Sequence, residues 1–305
     1  MMAQLLLASA ADHATLLQPS MRLQISHLTR YEYDREVQLR PHLLYLRPRE
    51  YALLQVNHFA FSSTPKADIA WMRDDFDNLP ASAQFSTYAS TLEIRSECTV
   101  TTTDTPPFDF LVRDYATSFP FTYEPLHKFN LSIYLTPPVI AAQDALRCWL
   151  DTRFTARPKE TVAWLFALNQ IICRNLNYRR RDEPGIQTAL ETITLGSGSC
   201  RDFAVVLIEC ARTLGIAARF VSGYMFDHAS NGTAAGSMHA WTEVFLPGAG
   251  WIGMDPTHGI FCQNAYVPVA HAVVAESVNP IQGSFFSAAP AVAKLTSDVR
   301  VQQVK

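Results

Sequence analysis

The hydrophobic period of this chain changes once, and that change confines the fold to two unlike halves. From Leu23 to about Leu135 the residues fall into short extended runs, Leu23 to Tyr33, Val37 to Leu46, Gln55 to Ser62, Ala83 to Phe85 and Thr91 to Thr101, punctuated by Pro, Asp and Asn. Alternation shows in Leu92-Glu93-Ile94-Arg95 and in Cys98-Thr99-Val100-Thr101, the two-residue repeat of a half-buried strand. After Pro137 and Pro138 the repeat becomes helical, with Ala142, Ala145, Leu146, Trp149 and Leu150 on one face. Pro158 opens a second helix carrying Val162, Leu165, Leu168, Ile172 and Leu176. These patterns predict an α+β protein, with an N-terminal antiparallel β-sandwich-like domain over residues 21–135 and a second domain over 136–305. Residues 1–20 carry neither pattern and read as a disordered tail or a misassigned start.

Composition narrows the partners. The chain is 48% hydrophobic and 17% charged, the balance of a globular protein with a large core. Its net charge is -3 and its Lys and Arg residues are dispersed, so no basic stripe is present for nucleic acid. No apolar run approaches the roughly 18 residues of a membrane span, and Met1 to Ala10 has no basic residue in front of its apolar stretch, which makes a poor secretory signal. Cys98, Cys148, Cys173, Cys200, Cys210 and Cys262 are few for 305 residues. They read as reduced thiols, and the protein as cytoplasmic.

One of those thiols stands apart. Thr188 and Glu191 cap a short helix that leads to Gly196-Ser197-Gly198, and Ser199-Cys200-Arg201-Asp202 then forms a capping box with Ser199 as N-cap. Phe203, Leu207, Cys210, Ala211 and Leu214 follow at helical spacing before Gly215. Cys200 is thus the first residue of a mostly buried helix, where free N–H groups and the helix dipole stabilise a thiolate and can hold an oxyanion. The other five cysteines read as small hydrophobes.

A thiolate doing acyl transfer needs an imidazole, and the imidazole needs an acceptor. His239 opens the run His239-Ala240-Trp241-Thr242-Glu243-Val244-Phe245-Leu246, and Asp255 ends Trp251-Ile252-Gly253-Met254-Asp255 just past the turn at 247–250. Two strands joined so closely are neighbours. A four-residue turn would pair Asp255 with Thr242 and turn it away from His239, so an odd turn or a bulge is required, with Gly248, Gly250 and Gly253 as its sites. Trp241 and Trp251 read as core or cleft-wall aromatics, and Asp202 as a capping carboxylate. His228, His258 and His271 with Cys200 and Cys262 match no compact zinc pattern, so neither metal nor cofactor is expected. Asp227 to Ser237 is small and polar and reads as a mobile loop at the cleft rim, suited to act as a lid.

Four ordered blocks carry a resemblance: Gly198-x-Cys200-Arg201-Asp202-Phe203, Leu214-Gly215-Ile216-Ala217-Ala218-Arg219-Phe220-Val221-Ser222-Gly223-Tyr224, His239-Ala240-Trp241-Thr242-Glu243-Val244 and Gly250-Trp251-Ile252-Gly253-Met254-Asp255-Pro256-Thr257. They resemble the bacterial transglutaminase-like proteins, a superfamily that includes candidate cysteine proteases. The resemblance implies a papain-like transglutaminase core, helices packed on an antiparallel sheet, with a catalytic triad of Cys200, His239 and Asp255. Tyr178, taken to end its helix upstream of the thiol, reads first as a buried tyrosine with a satisfied hydroxyl, and family analogy offers oxyanion donation as its other role. His27-x-Thr29-x-Tyr31-x-Tyr33, Leu46-Arg47-Pro48-Arg49 and Asp75-Phe76-Asp77-Asn78 resemble the N-terminal β domain of one bacterial subfamily, with Asp77 where that turn usually carries glycine. The stretch after the triad departs from the family around Ala275-Glu276-Ser277-Val278, while Asn279-Pro280-Ile281-Gln282-Gly283 remains recognisable.

The expected function is cysteine-dependent acyl transfer on a peptide bond or glutamine-type carboxamide of a protein or peptide substrate. Hydrolysis is favoured over amine cross-linking, because nothing in the sequence dictates exclusion of water. A catalytically idle peptide-binding module that kept the fold is the alternative, and the presence of all three triad residues argues against it.

Overall fold

A computed structural model describes residues 20–104, 109–154, 157–181, 185–228 and 238–304. The tail 1–19 and the body of the expected lid, 229–237, lie outside them. In chain order the first half holds β1 (Ser20–Leu39), β2 (His42–Leu44), β3 (Leu54–Thr64), β4 (Asp68–Trp71), β5 (Ala81–Gln84) and β6 (Tyr88–Thr103). Leu23, Ile25, His27 and Thr29 are buried on one side of β1, with partly or fully exposed residues between them, as two-residue alternation requires. The runs expected at 23–33 and 37–46 join at their near ends. β1 continues through a register shift between Glu32 and Val37, which bends it without ending it.

The helical half supplies α1 (Pro125–Asn130), α2 (Ile140–Asp151), α3 (Thr161–Asn175) and α4 (Ala189–Leu195), then α5 (Cys200–Thr213). The helix expected to open at Pro158 begins at Thr161. Short parallel strands β7 (Asn177–Tyr178) and β8 (Ser197–Gly198) fix the approach to α5. An antiparallel sheet follows, built from β9 (Ala218–Met225), β10 (His239–Leu246), β11 (Gly250–Asp255), β12 (Ile260–Phe261) and β13 (Tyr266–Ala272) in the order β12-β11-β10-β9-β13. α5 packs on this sheet through Phe203, Ala204, Leu207 and Ala211, all buried, and the Thr242 hydroxyl donates to the Ala204 carbonyl at 3.0 Å. This is the expected helix-on-sheet core.

The C-terminal residues, read from the sequence with the catalytic half, pair elsewhere. β14 (Ile281–Gln282) adds to β2, whereas β15 (Phe285–Phe286) and β16 (Ala293–Val304) both pair with β1. Among the described residues the sandwich therefore consists of one sheet containing β15, β1, β6, β3 and β16 and another ordered β14-β2-β5-β4. Val37, Leu39, Leu44, Ala81, Leu92 and Ile94 fill the space between them. β16 escaped the sequence reading because it buries only Val299 and Val301.

The two halves are bolted together by the N-terminal motifs. Buried Asn78 donates to the His271 carbonyl at 2.9 Å and accepts from the His271 amide at 2.9 Å and from Arg49 Nη1 at 2.8 Å. The Arg49 amide donates to the Pro268 carbonyl at 2.8 Å. Asp74 shapes the turn by accepting from the amides of Phe76 and Asn78. Asp77 has φ 60°, a left-handed conformation that glycine takes freely and that Asp tolerates better than most residues. No helix among the described residues is long and apolar enough to cross a membrane.

Candidate active site

α5 begins where a chain of hydrogen bonds on Asp202 leaves it. The Asp202 carboxylate accepts from the Ser199 amide at 2.7 Å, the Ser199 hydroxyl at 2.8 Å and the Gln187 amide at 2.8 Å, and Arg181 lies 3.0 Å from both of its oxygens. Burial alone would raise its pKa, but these donors hold it below the usual carboxylate range. Asp202 is a fixed anion that shapes the helix start, as the capping reading required. Gly198 admits the close approach, since a Cβ there would meet the Asp202 Cβ at 2.8 Å.

Cys200 is the first residue of α5 and 8% exposed. Burial pushes its thiol up. The hydrogen bond and charge of His239, the Ala240 amide and the Arg201 charge outweigh that and bring it below the ordinary cysteine value. His239 starts β10, opposite Gly223 of β9. Its Nε2 donates to Asp255 Oδ2 at 2.7 Å, which leaves Nδ1 for the thiol. Burial lowers the imidazole pKa, yet the bonds to Asp255 and Cys200 raise it overall, to about 10. Thiolate and imidazolium thus stabilise one another, and the structure brings all three sequence-selected residues together.

Asp255 is fully buried at the end of β11. Its Oδ1 accepts from the Thr257 amide at 2.8 Å, and Oδ2 receives three donors at 2.7 Å: His239 Nε2, His258 Nδ1 and the Tyr266 hydroxyl. Against the upward push of burial, the imidazoles of His239 and His258 hold its carboxyl far below the usual range. Sequence reasoning did not assign His258 or Tyr266 to this carboxylate. His258 was weighed only in a zinc set, and Tyr266 belongs to a strand that no periodic run announced.

His239, Asp255 and His258 offer ligand atoms that all lie within 4.8 Å of one another. Two ligands on one tetrahedral zinc stand about 3.3 Å apart for bonds near 2.0 to 2.1 Å. Both imidazole contacts to Asp255 are 2.7 Å, the spacing of donors sharing protons with a carboxylate. This donor set fits hydrogen bonding rather than a cation.

A cleft of about 480 Å³ opens over Cys200 and His239. Tyr178 and Arg201 line it from the helical half, and Tyr31 of β1 with Leu295 and Ser297 of β16 line it from the sandwich. The β domain is therefore a wall of the candidate site. Tyr178 does not end a helix as expected. It lies in β7, 53% exposed, with burial and the Cys200 charge raising its phenol pKa. Trp241 is buried core, whereas Cys148 is exposed and does not pack as a small hydrophobe.

The transglutaminase-like superfamily model matches residues 150–256, spanning the thiol, the imidazole and the carboxylate, and the bacterial transglutaminase-like N-terminal region matches residues 23–101. The chain belongs to the transglutaminase-like superfamily. An uncharacterized protein of Mycobacterium tuberculosis is 26% identical over 281 residues, 87% of this chain and 88% of its own length. The protein YebA of Bacillus subtilis is 30% identical over 94 residues, which are 28% of this transglutaminase-like chain and 12% of YebA. A solved structure from Cytophaga hutchinsonii, described as a candidate cysteine protease, shares the fold at a TM-score of 0.73 and 19% identity, covering 94% of this chain and 92% of that one.

Proposed function

We propose that this transglutaminase-like protein is a cysteine-dependent acyl-transfer enzyme of the cytoplasm acting on protein or peptide substrates. The observation that carries the reading is the continuous line from Asp255 through His239 to a thiol held below its ordinary pKa at a helix start. Cys200 attacks a peptide or carboxamide carbonyl, and the first-turn amides of α5 with the Tyr178 hydroxyl receive the oxyanion. The His239 imidazolium gives its proton to the departing amine, leaving a thioester on Cys200. Asp255 keeps the imidazole in the tautomer that faces sulfur. Water or an amine then takes the acyl group, with hydrolysis the favoured route. The six free thiols support a reducing compartment.

The test is incubation with a peptide set and a labelled primary amine, scored by mass spectrometry for cleavage, deamidation and amine incorporation. Cys200-dependent cleavage or deamidation in excess of amine incorporation is expected. Predominant incorporation would reassign the acceptor, and no Cys200-dependent product on any peptide would favour an idle binding module.

A further inference from the structure

We propose that His258 is a positioning residue of the site, a second imidazole that shares Asp255 Oδ2 with His239 and so limits how strongly that carboxylate holds the His239 proton. This rests on the acyl-transfer reading for its meaning in turnover, but not for its geometry. His258 follows Asp255 by three residues in the turn after β11, with its amide 3.4 Å from Oδ1 and its Nδ1 2.7 Å from Oδ2. Its ring centroid lies 5.5 Å from that of His239. The turn is itself fixed, since the Gly259 amide donates to the Asp255 carbonyl at 2.8 Å and Asn169 Nδ2 reaches the same carbonyl at 3.2 Å.

A carboxylate oxygen has a limited capacity to accept, and each added donor makes it a weaker base toward the others. With His258 and Tyr266 already on Oδ2, Asp255 orients His239 without binding its proton so tightly that delivery to a leaving amine becomes slow. The side chain of His258 is 45% exposed whereas that of Asp255 is inaccessible, so His258 is also the member of this cluster that meets solvent. The other titratable or charged groups around the pair are Cys200 and Arg201 from α5, Tyr178 from β7, Tyr266 from β13, Cys262 beyond β12 and Cys173 from α3. Of these, only Cys200 hydrogen-bonds His239 and only Tyr266 shares its oxygen.

The experiment reads the rate of Cys200 alkylation by iodoacetamide against pH, by peptide mapping, in the full chain and in His258→Ala and His258→Asn. It needs no substrate, so it decides the proposal even if no peptide turns over. In wild type the rate should change as His239 loses its proton on the alkaline side. Removing one donor in H258A should move that step up by about half a pH unit or more. H258N restores an N–H at nearly the same place and should bring the step back toward wild type. A purely structural role would lower stability and leave the step where it was. An unmoved step in H258A, a downward shift, or an Asn variant that behaves as the Ala variant would each overturn the proposal. Because His258 is partly exposed, both variants should fold, and His258→Leu, which likewise carries no N–H, takes the place of H258A if that variant does not.

Discussion

Leu246 pairs with Gly250 across a three-residue turn, and that parity decides the face on which Asp255 stands. Thr242 lies opposite Met254, so the next position places Asp255 across from Trp241 and on the same side of the sheet as His239. The odd turn demanded by the sequence is present, and Gly248 and Gly250, at φ +93° and +80°, make it possible. A Cβ on Gly248 would also meet the Leu111 carbonyl at 2.6 Å. Gly248→Ala should therefore cost about 1–3 kcal/mol of stability. Urea unfolding checks this, and a variant as stable as wild type would show that the turn is not under constraint.

The two buried carboxylates near Cys200 should fail in different ways. Asp255→Asn keeps an acceptor for His239 but loses the charge that supports the imidazolium, so turnover should fall by roughly 10² to 10⁴, about 3 to 5 kcal/mol of transition-state stabilisation. Cys200→Ala and His239→Ala should abolish it. Asp202→Asn breaks the buried pair with Arg181 and should lose about 3–5 kcal/mol of folding stability, while its folded fraction keeps most activity. An active Asp255→Asn beside a folded but dead Asp202→Asn would exchange their roles.

Alkylation should single out Cys200. At neutral pH iodoacetamide should modify it before Cys98, Cys210 and Cys262, whose thiols burial pushes up, in the case of Cys98 to about 12. Cys148 is the informative rival because it is exposed. If it reacts first, exposure governs and the activated-thiol argument fails.

Asn78 ties the sandwich to β13 with three bonds to Arg49 and His271. Asn78→Ala removes the buried partner of the His271 amide and carbonyl and the shortest bond of Arg49, which should cost about 2–4 kcal/mol. Since Tyr31 and Leu295 reach the cleft from the same sandwich, KM should rise more than kcat falls. Unchanged melting and KM would mean that the halves are held together by other contacts.

His27 gives the fold an acid-sensitive seam. It is buried against Tyr224 at 3.1 Å, and although Asp298 opposes the effect, burial lowers its pKa to about 4. Unfolded chains take up this proton below the ordinary value of 6.5 while the folded protein does not, so stability is full above 6.5 and is lost as pH falls toward 4. The loss from this residue should reach about 3 kcal/mol. Asp202 and Asp255, whose pKa values are lowered, contribute losses only as pH falls below the carboxylate range. Urea unfolding at pH 7.5 and 4.5 measures the difference, and His27→Gln should reduce it by about that amount, leaving the part contributed by His42 and His271, whose pKa values burial also lowers. A wild-type stability that does not change across this window would remove the seam argument.

The sequence by itself determined the features that depend on residues a few positions apart. The Ser199–Asp202 capping box places Cys200 at a helix start, two extended runs mark β10 and β11, and their short turn makes His239 and Asp255 neighbours. Each is a local choice enforced by one hydrogen bond or one period. Tertiary structure alone decided what reaches those residues from afar. Tyr266 arrives on Asp255 because β13 pairs with β9. β16 returns to β1 and makes the sandwich a wall of the cleft, a pairing set by which strand edge was left open. No short window of sequence carries that information, because a donor's partner is chosen by the packing of whole sheets and not by its neighbours in the chain.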